Sequence, residues 1–548
     1  MRERVSDHHE VEWQFDALDV RPVARWLESR SHWDGPAVAA NETRDLTDTY
    51  FDTGDWRLYR AGYALRVRQK TGAGGGFEAT MKSLDAGEDG VRRRREISEP
   101  VSGAGADDLL AAPGPVGVRL RALAGSVSLA PLFSIKTRRA AYAISLYGEG
   151  VGEVVLDTSE IPLEDGAEPV MLRRVEVEMQ PETEPEAVDG VRESLESFVG
   201  ELREGCRLSP ARASKYEAAV FAHNLTPPGA LDLGSTAVDE SLTVGQVAFA
   251  VMREQFVEFL AHEPGTRIGE DPEELHDMRV ASRRLRAAVK VFDEALPVRL
   301  RGMEAEVKWI ATALGEVRDL DVQLEQLEEW LAGAEPEDRE PLGELRGVLE
   351  DRHEKARRAM IRALDSRRYA RLVESLELLL RRGPSPRSKA AGRPVLAVAP
   401  DLVRKRYRKV RKAGDRISEE SSAADYHDLR KKGKRLRYAL EFLSGVYGDA
   451  AGDLVSPLKK LQDVLGDHQD AEVAIDHLRE LSDARAGRRR LSPRTVFVMG
   501  GIAHRYALQK AELRAQFPKT YKGIKGKPWK KLRTVMDNLR PSEDEKTS

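Results

Sequence analysis

The sequence predicts an α+β multidomain chain: an N-terminal antiparallel β-barrel or tunnel with helices, then an all-α part containing a duplicated unit. Three observations carry this. The first two hundred residues hold short segments that alternate polar and bulky side chains, the period of a strand with one apolar face. The second half holds longer amphipathic stretches with helical spacing. Within it, His276-Asp277-Met278-Arg279 recurs 151 residues later as His427-Asp428-Leu429-Arg430. The same offset relates Arg283 to Lys434, Arg286 to Arg437, Leu314-Gly315 to Leu465-Gly466 and Asp319 to Asp470. An ungapped correspondence over that distance marks a repeat.

The strands are read in chain order from Glu10–Phe15, Ala64–Arg68, Ile135–Arg138, Glu153–Asp157 and Val175–Met179. Their polar faces are sorted by sign. Glu10/Glu12, Glu153/Asp157 and Glu176/Glu178 are acidic, whereas Arg66/Arg68, Arg92/Arg94 and Lys136/Arg138 are basic. A closed barrel would point both sets inward. Clustered carboxylates then serve as hard oxygen ligands for Mg²⁺ or Mn²⁺, and clustered cations neutralise a row of phosphates. Together they would hold a metal-bound triphosphate for in-line attack by water. The competing reading is cross-strand salt bridging on a solvated sheet. The glycine-rich run Gly72–Gly76 lacks the Lys-Ser/Thr and helix of a P-loop, so it has no nucleotide role.

Residues 223–240, with Pro227-Pro228-Gly229, read as a linker. In the helical half, about 100° per residue puts His276, Arg279, Arg283 and Arg286 on one stripe. His427, Arg430, Lys434 and Arg437 form the matching stripe of the second copy. Apolar residues such as Met278, Leu285, Leu429 and Leu436 lie opposite, so each helix can bury one side and present cations on the other. No acid interrupts the stripes, which suits them to a polyanion; the alternative is a solvated basic face. A Gly/Pro-containing stretch from Gly383 to Pro394 separates the copies, and 518–548, lysine-rich and then acidic, reads as mostly disordered.

Composition excludes several classes. The 548 residues exceed one core and predict two or three domains. A net charge of −4 from 88 basic and 92 acidic groups leaves room for a local cationic groove. The single Cys206 excludes an intramolecular disulfide framework and a cysteine zinc cluster. No secretory signal and no apolar run long enough to cross a bilayer are visible, so a cytoplasmic protein is expected. Few aromatics stand among the helical cations, which disfavours nucleic acid as the partner.

From about Ser241 to Phe517 the chain resembles the CHAD family, through the repeated His–Arg/Lys helices and the two Leu-Gly-x-x-x-Asp segments. The resemblance implies two similar four-helix bundles, with internal repeats at about 241–382 and 400–517. It also implies a basic groove for inorganic polyphosphate, with Asp319 and Asp470 orienting its cations. From about His9 to Phe221 (residues 8–222 as a domain) the chain resembles the CYTH family of triphosphate tunnel enzymes. The motifs are Glu10-x-Glu12, Tyr50-Phe51-Asp52-Thr53, Arg66-x-Arg68, Met81-Lys82, Arg94-x-Glu96, Lys136-Thr137-Arg138, Glu176-x-Glu178 and Ser214-Lys215-Tyr216. The residue roles implied are metal binding by Glu10, Glu12, Glu176 and Glu178, and phosphate binding by Arg66, Arg68, Lys82, Arg94, Lys136, Arg138 and Lys215. Glu96, Glu153 and Asp157 would order the clamp or orient the attacking water. Gln14 stands where the family has a tunnel lysine, with Lys70 a candidate replacement. Two functions follow: a metal-dependent hydrolase of inorganic triphosphate or a related triphosphate that also binds polyphosphate, or a non-catalytic protein bound to polyphosphate or its granules.

Overall fold

A computed structural model describes residues 6–29, 36–70, 75–84, 90–163, 166–180, 188–418, 420–483 and 491–540. The glycine-rich run at 72–76 and the last residues of the expected tail fall partly outside these. The chain divides into two compact units between Ala230 and Leu231, inside the linker segment.

In the first unit, alternation produces an eight-stranded closed barrel. Its strands are β1 (Ser6–Asp16), β2 (Ala37–Thr53), β3 (Tyr63–Lys70), β4 (Phe77–Ser83), β5 (Val91–Val101), β6 (Leu129–Leu146), β7 (Glu149–Ile161) and β8 (Val170–Met179). The order is β5-β4-β3-β2-β6-β7-β8-β1, with β1 pairing back onto β5, every neighbour antiparallel. Closure removes both sheet edges. The apolar faces point outward. Trp13, Phe15, Val154, Val175 and Val177 pack under the helices Arg21–Glu28 and Val188–Cys206, through Leu27, Leu195, Phe198 and Leu202. The barrel therefore buries apolar surface outside itself, which leaves its interior to charged side chains.

The second unit is helical, and its helix bounds follow the repeat. Pro272–Val291 and Ala423–Phe442 begin and end 151 residues apart, and Val244–Ala261 and Val395–Gly414 begin at the same offset. Val244–Ala261 packs on Pro272–Val291, that helix on Glu304–Ala332, and that one on Pro336–Leu364. Val395–Gly414, Ala423–Phe442, Asp449–Asp483 and Pro493–Gly523 follow one another in the same way. One apolar core runs through both copies, joining Met278 and Leu429, Leu285 and Leu436, and Leu314 and Leu465.

The expected disorder after residue 518 is corrected. The helix Pro493–Gly523 runs through that boundary and a further helix spans Lys527–Asn538. Ile524, Leu532 and Met536 are fully buried, and Trp529 stacks on Tyr407 with ring centroids 3.7 Å apart. Helical apolar spacing outweighs the lysine content. Ending the chain at Lys525 should lower the thermal midpoint by at least roughly 5 °C. Removing each large buried side chain costs about 2–5 kcal/mol, and each kcal/mol moves a domain of this size by about 2–4 °C. Thermal melts followed by circular dichroism check this.

Candidate functional site

Period-two alternation carries the barrel's charged residues inward. On β1, Glu10, Glu12 and Gln14 are buried, and their register sets Glu10 opposite Arg94 on β5, Glu12 opposite Glu178 on β8, and Gln14 opposite Glu176. They line a cavity of about 520 Å³ together with Arg66, Arg68, Lys82, Glu96, Arg139, Glu153 and Lys215.

Three groups of interactions organise it. On one wall, Lys82 pairs with Glu10 and lies 3.3 Å from Glu12 and 3.4 Å from Glu96, while Arg94 pairs with Glu12. On another, Arg139 donates twice to Asp157, at 2.9 and 2.7 Å, and reaches Glu176 at 3.1 Å. Lys215, just after the N-cap Ser214 of the helix Lys215–Ala222, joins the same pair, contacting Asp157 and standing 3.0 Å from Glu176. Gln14 Nε2 donates to Glu176 at 3.3 Å. On the third, Asp48 of β2 accepts two bonds from Arg68, 2.8 and 2.9 Å long, and lies 3.5 Å from Arg66.

Electrostatics separate the carboxylates into two kinds. Burial opposes ionisation of Asp157 and Glu176, but Lys215 and Arg139 outweigh it and hold both well below the usual carboxylate range. Burial likewise opposes ionisation of Glu96, but Lys82 and Arg66 hold it at about 2. Glu178 is the exception: burial and the nearby charge of Glu10 push it up to about 7. Glu10, Glu12 and Glu178 each bring one carboxylate oxygen within 4.8 Å of the other two. Three convergent carboxylates that repel one another in a low-dielectric interior fit a hard divalent cation.

In the helical unit the two histidine helices bring their cationic stripes together. Arg279 pairs with Asp319 at 3.0 Å and, at the repeated position, Arg430 approaches Asp470 at 3.9 Å. The glycine of each Leu-Gly-x-x-x-Asp segment lies under the arginine: a Cβ on Gly315 would stand 3.3 Å from Arg279, and one on Gly466 3.8 Å from Arg430. Burial, Arg430, Arg283 and Arg437 together push the Lys434 amine down to about 7, so cations from both repeats converge. Burial and the neighbouring Lys431 and Arg430 lower His427. The outer stripe members carry acidic neighbours from other turns and helices: Arg286 with Glu304 at 3.2 Å, and Arg437 with Glu441 at 3.6 Å.

Family models match residues 28–205 as a CYTH domain and residues 250–479 as a CHAD domain. The chain carries a CYTH domain followed by a CHAD domain. An uncharacterized protein of Mycobacterium tuberculosis is 26% identical over 499 residues, covering 87% of this chain and 89% of the relative. Among solved structures, the CHAD domain from the plant Ricinus communis is similar at 25% identity, covering 57% of this chain and 97% of that one, with a TM-score of 0.41. PptA from Streptomyces chartreusis is similar at 20% identity, over 52% of this chain and 100% of that one, with a TM-score of 0.42. A Hippeastrum protein described as revealing a dominant triphosphatase activity is similar at 21% identity, over 40% of this chain and 98% of that one, with a TM-score of 0.29. No helix among the described residues is long and apolar enough to cross a membrane.

The first unit brings together Glu10, Glu12, Glu178, Arg66, Arg68, Lys82, Arg94, Glu96, Glu153 and Lys215 around one cavity. One expectation is corrected. Lys136 and Arg138 are exposed on the outer face of β6, and the inward cation of that strand is Arg139. Glu176 lines the same cavity, with its oxygens bonded to Arg139, Lys215 and Gln14. Lys70 pairs with Glu78 at 3.1 Å and lines the same cavity as Gln14. Sequence reasoning also missed Asp48, one of four acids in its strand (Glu42, Asp45, Asp48 and Asp52), whose partners only the fold reveals. On a triphosphatase reading of this cavity, Arg139→Ala should lower kcat/KM for triphosphate by about 10²-fold or more, because it removes a buried cation facing the cavity. Lys136→Ala combined with Arg138→Ala should stay within about twofold. A phosphate-release assay on the three proteins checks both.

Proposed function

We propose that the CYTH domain is a divalent-metal-dependent hydrolase of inorganic triphosphate or a related triphosphate, and that the CHAD domain binds inorganic polyphosphate. The observation that carries this is the convergence, in one cavity of the barrel, of the carboxylate triad Glu10/Glu12/Glu178 with an inward clamp of Arg and Lys. Glu10, Glu12 and Glu178 would hold Mg²⁺ or Mn²⁺, which supplies charge neutralisation on the phosphates and lowers the pKa of a bound water.

The chain's own residues do the rest. Arg66, Arg68, Lys82, Arg94, Arg139 and Lys215 bind the phosphate oxygens and pre-organise positive charge where negative charge develops in the transition state. Glu96 orients Lys82, and Asp157 with Glu176 orients Arg139 and Lys215, so the clamp is in place before substrate arrives. Glu153 faces the same cavity, paired in register with Glu178, and would accept a proton from water. The aromatic side chains at the cavity wall, Tyr50 and Tyr216, are buried and packed against Phe133. Along the CHAD stripes, His276, Arg279, Arg283 and Arg286 with His427, Arg430, Lys434 and Arg437 would follow a phosphate chain, Arg engaging two oxygens at once.

Purified protein with Mg²⁺ or Mn²⁺ should release phosphate from inorganic triphosphate. Gln14, a neutral group where a lysine would donate charge, favours the second reading, a polyphosphate-binding protein without turnover. Tight binding of long-chain polyphosphate with no phosphate release under any metal would establish that reading instead.

A further inference from the structure

The repeat gives the CHAD domain two cavities at matching positions, and they carry opposite charge. The larger, about 730 Å³, is lined by ten cationic and three acidic side chains; the smaller, about 450 Å³, by one arginine and two glutamates. The offset of 151 relates Val251 of the small cavity to Leu402 of the large one, and Arg284 to Arg435. Most charge differences at these positions run one way, with exceptions at Asp293 against Ser444 and Glu294 against Gly445. Lys290 answers Glu441, Lys405 answers Glu254, Arg406 answers Gln255 and Lys409 answers Glu258.

The two cavities also differ in how their charges are used. In the small one, Arg284 is spent internally, donating to Glu441 at 2.8 Å and Gln255 at 2.6 Å under the ring of Phe442. In the large one, Arg393, Lys405, Lys409 and Arg435 have no ion-pair partner among the described residues. Two of its three acids lean out of the lining set: Asp293 to Arg301 at 3.7 Å, and Asp401 to Arg404 and Arg540 at 3.8 Å. Unpaired cations crowded into one concavity repel one another and lower their mutual energy only when an anion enters. The lining aromatics, Phe292 and Tyr438, are buried, so no stacking platform for bases accompanies the charge. Arg283 and Lys434, members of the two central stripes, form part of the same wall.

We propose that this cavity is a phosphate-chain subsite built on one side of the repeat only, continuing the histidine stripes towards the helix Val395–Gly414. It rests on the polyphosphate reading of the stripes and adds to it a polarity: a bound chain leaves the groove through this end and not through its acidic counterpart. The two cavities occupy repeat-related positions, and the differences between Val395–Gly414 and Val244–Ala261, with Lys290 against Glu441, make them unequal.

The test uses the full chain, long-chain polyphosphate and calorimetric titration over a salt series. Lys405→Glu with Lys409→Glu changes two exposed positions on a helix surface, so the fold is retained. This pair should weaken binding by about tenfold or more and reduce the salt slope by about two, one for each phosphate no longer neutralised. Glu254→Gln with Glu258→Gln, on the counterpart side, should change affinity by less than about twofold. Arg283→Glu with Lys434→Glu serves as the reference that breaks the stripes. Unchanged affinity and slope for the Lys405/Lys409 pair, with binding abolished in the reference, overturns the subsite and leaves the polyphosphate reading standing. Binding retained in the reference overturns that reading, and the subsite with it.

Discussion

Glu10→Ala will reduce metal-dependent phosphate release from inorganic triphosphate by about 10³-fold or more, and Glu178→Gln will do the same by a different physical route. Glu10 is one of three carboxylates whose oxygens lie within 4.8 Å of each other, and it also holds Lys82. Its removal takes a ligand from the metal and releases a clamp cation. About 4 kcal/mol of lost transition-state stabilisation corresponds to that factor of 10³. Glu178→Gln keeps the shape but deletes a charge, leaving a weaker oxygen donor. Because Glu178 is held against both burial and Glu10, its neutral replacement should make the metal-free protein more stable while lowering metal affinity. Opposite movement of melting temperature and activity is the signature of a binding residue held under electrostatic strain. A variant whose stability falls with its activity would point to a structural role. Long-chain polyphosphate binding, assigned to the other unit, should be unaffected in both variants.

Much of this tunnel is legible in the sequence because its strands alternate cleanly and each polar face carries one sign. Legibility fails where alternation is ambiguous. Lys136-Thr137-Arg138-Arg139 puts cations on both faces of β6, and only pairing with Asp157 of β7 decides that Arg139 points inward. Glu176 and Glu178 share a face, so periodicity groups them. What separates their roles is what the opposite elements deliver: Gln14 and Lys215 to the first, Glu10 to the second. The C-terminal helix is hidden by its lysines, although Trp529, Leu532 and Met536 already carry helical spacing. In the helical unit, identical residues at the repeat offset reveal the duplication, but a site made by divergence is written in the positions that differ, such as Lys405 against Glu254.

Reversing Arg279, Arg283, Arg430 and Lys434 to Glu together should lower polyphosphate affinity by at least about 10³-fold with helical content unchanged. Removing each charge-assisted hydrogen bond costs about 1.5–3 kcal/mol before the new repulsion is added. A subtler form of the same prediction concerns pH. Burial, with Arg430, Arg283 and Arg437 close by, sets the Lys434 amine near 7 in the folded chain, against 10.5 for an ordinary lysine. The folded state therefore binds fewer protons than the unfolded state between those values, so stability contributed by this residue rises with pH across that window and is lowest below about 7. Polyphosphate reverses the sign. An anion beside Lys434 favours the protonated amine, so binding takes up a proton, is strongest below about pH 7 and weakens as pH climbs above it. Lys434→Met should raise the melting temperature near neutral pH, because it removes the like-charge crowding, and should flatten the alkaline fall in affinity. If the fall persists in that variant, the titrating group lies elsewhere among the stripes; if melting temperature drops instead, Lys434 is paired in the folded chain and the convergence of the two cationic helices is wrong.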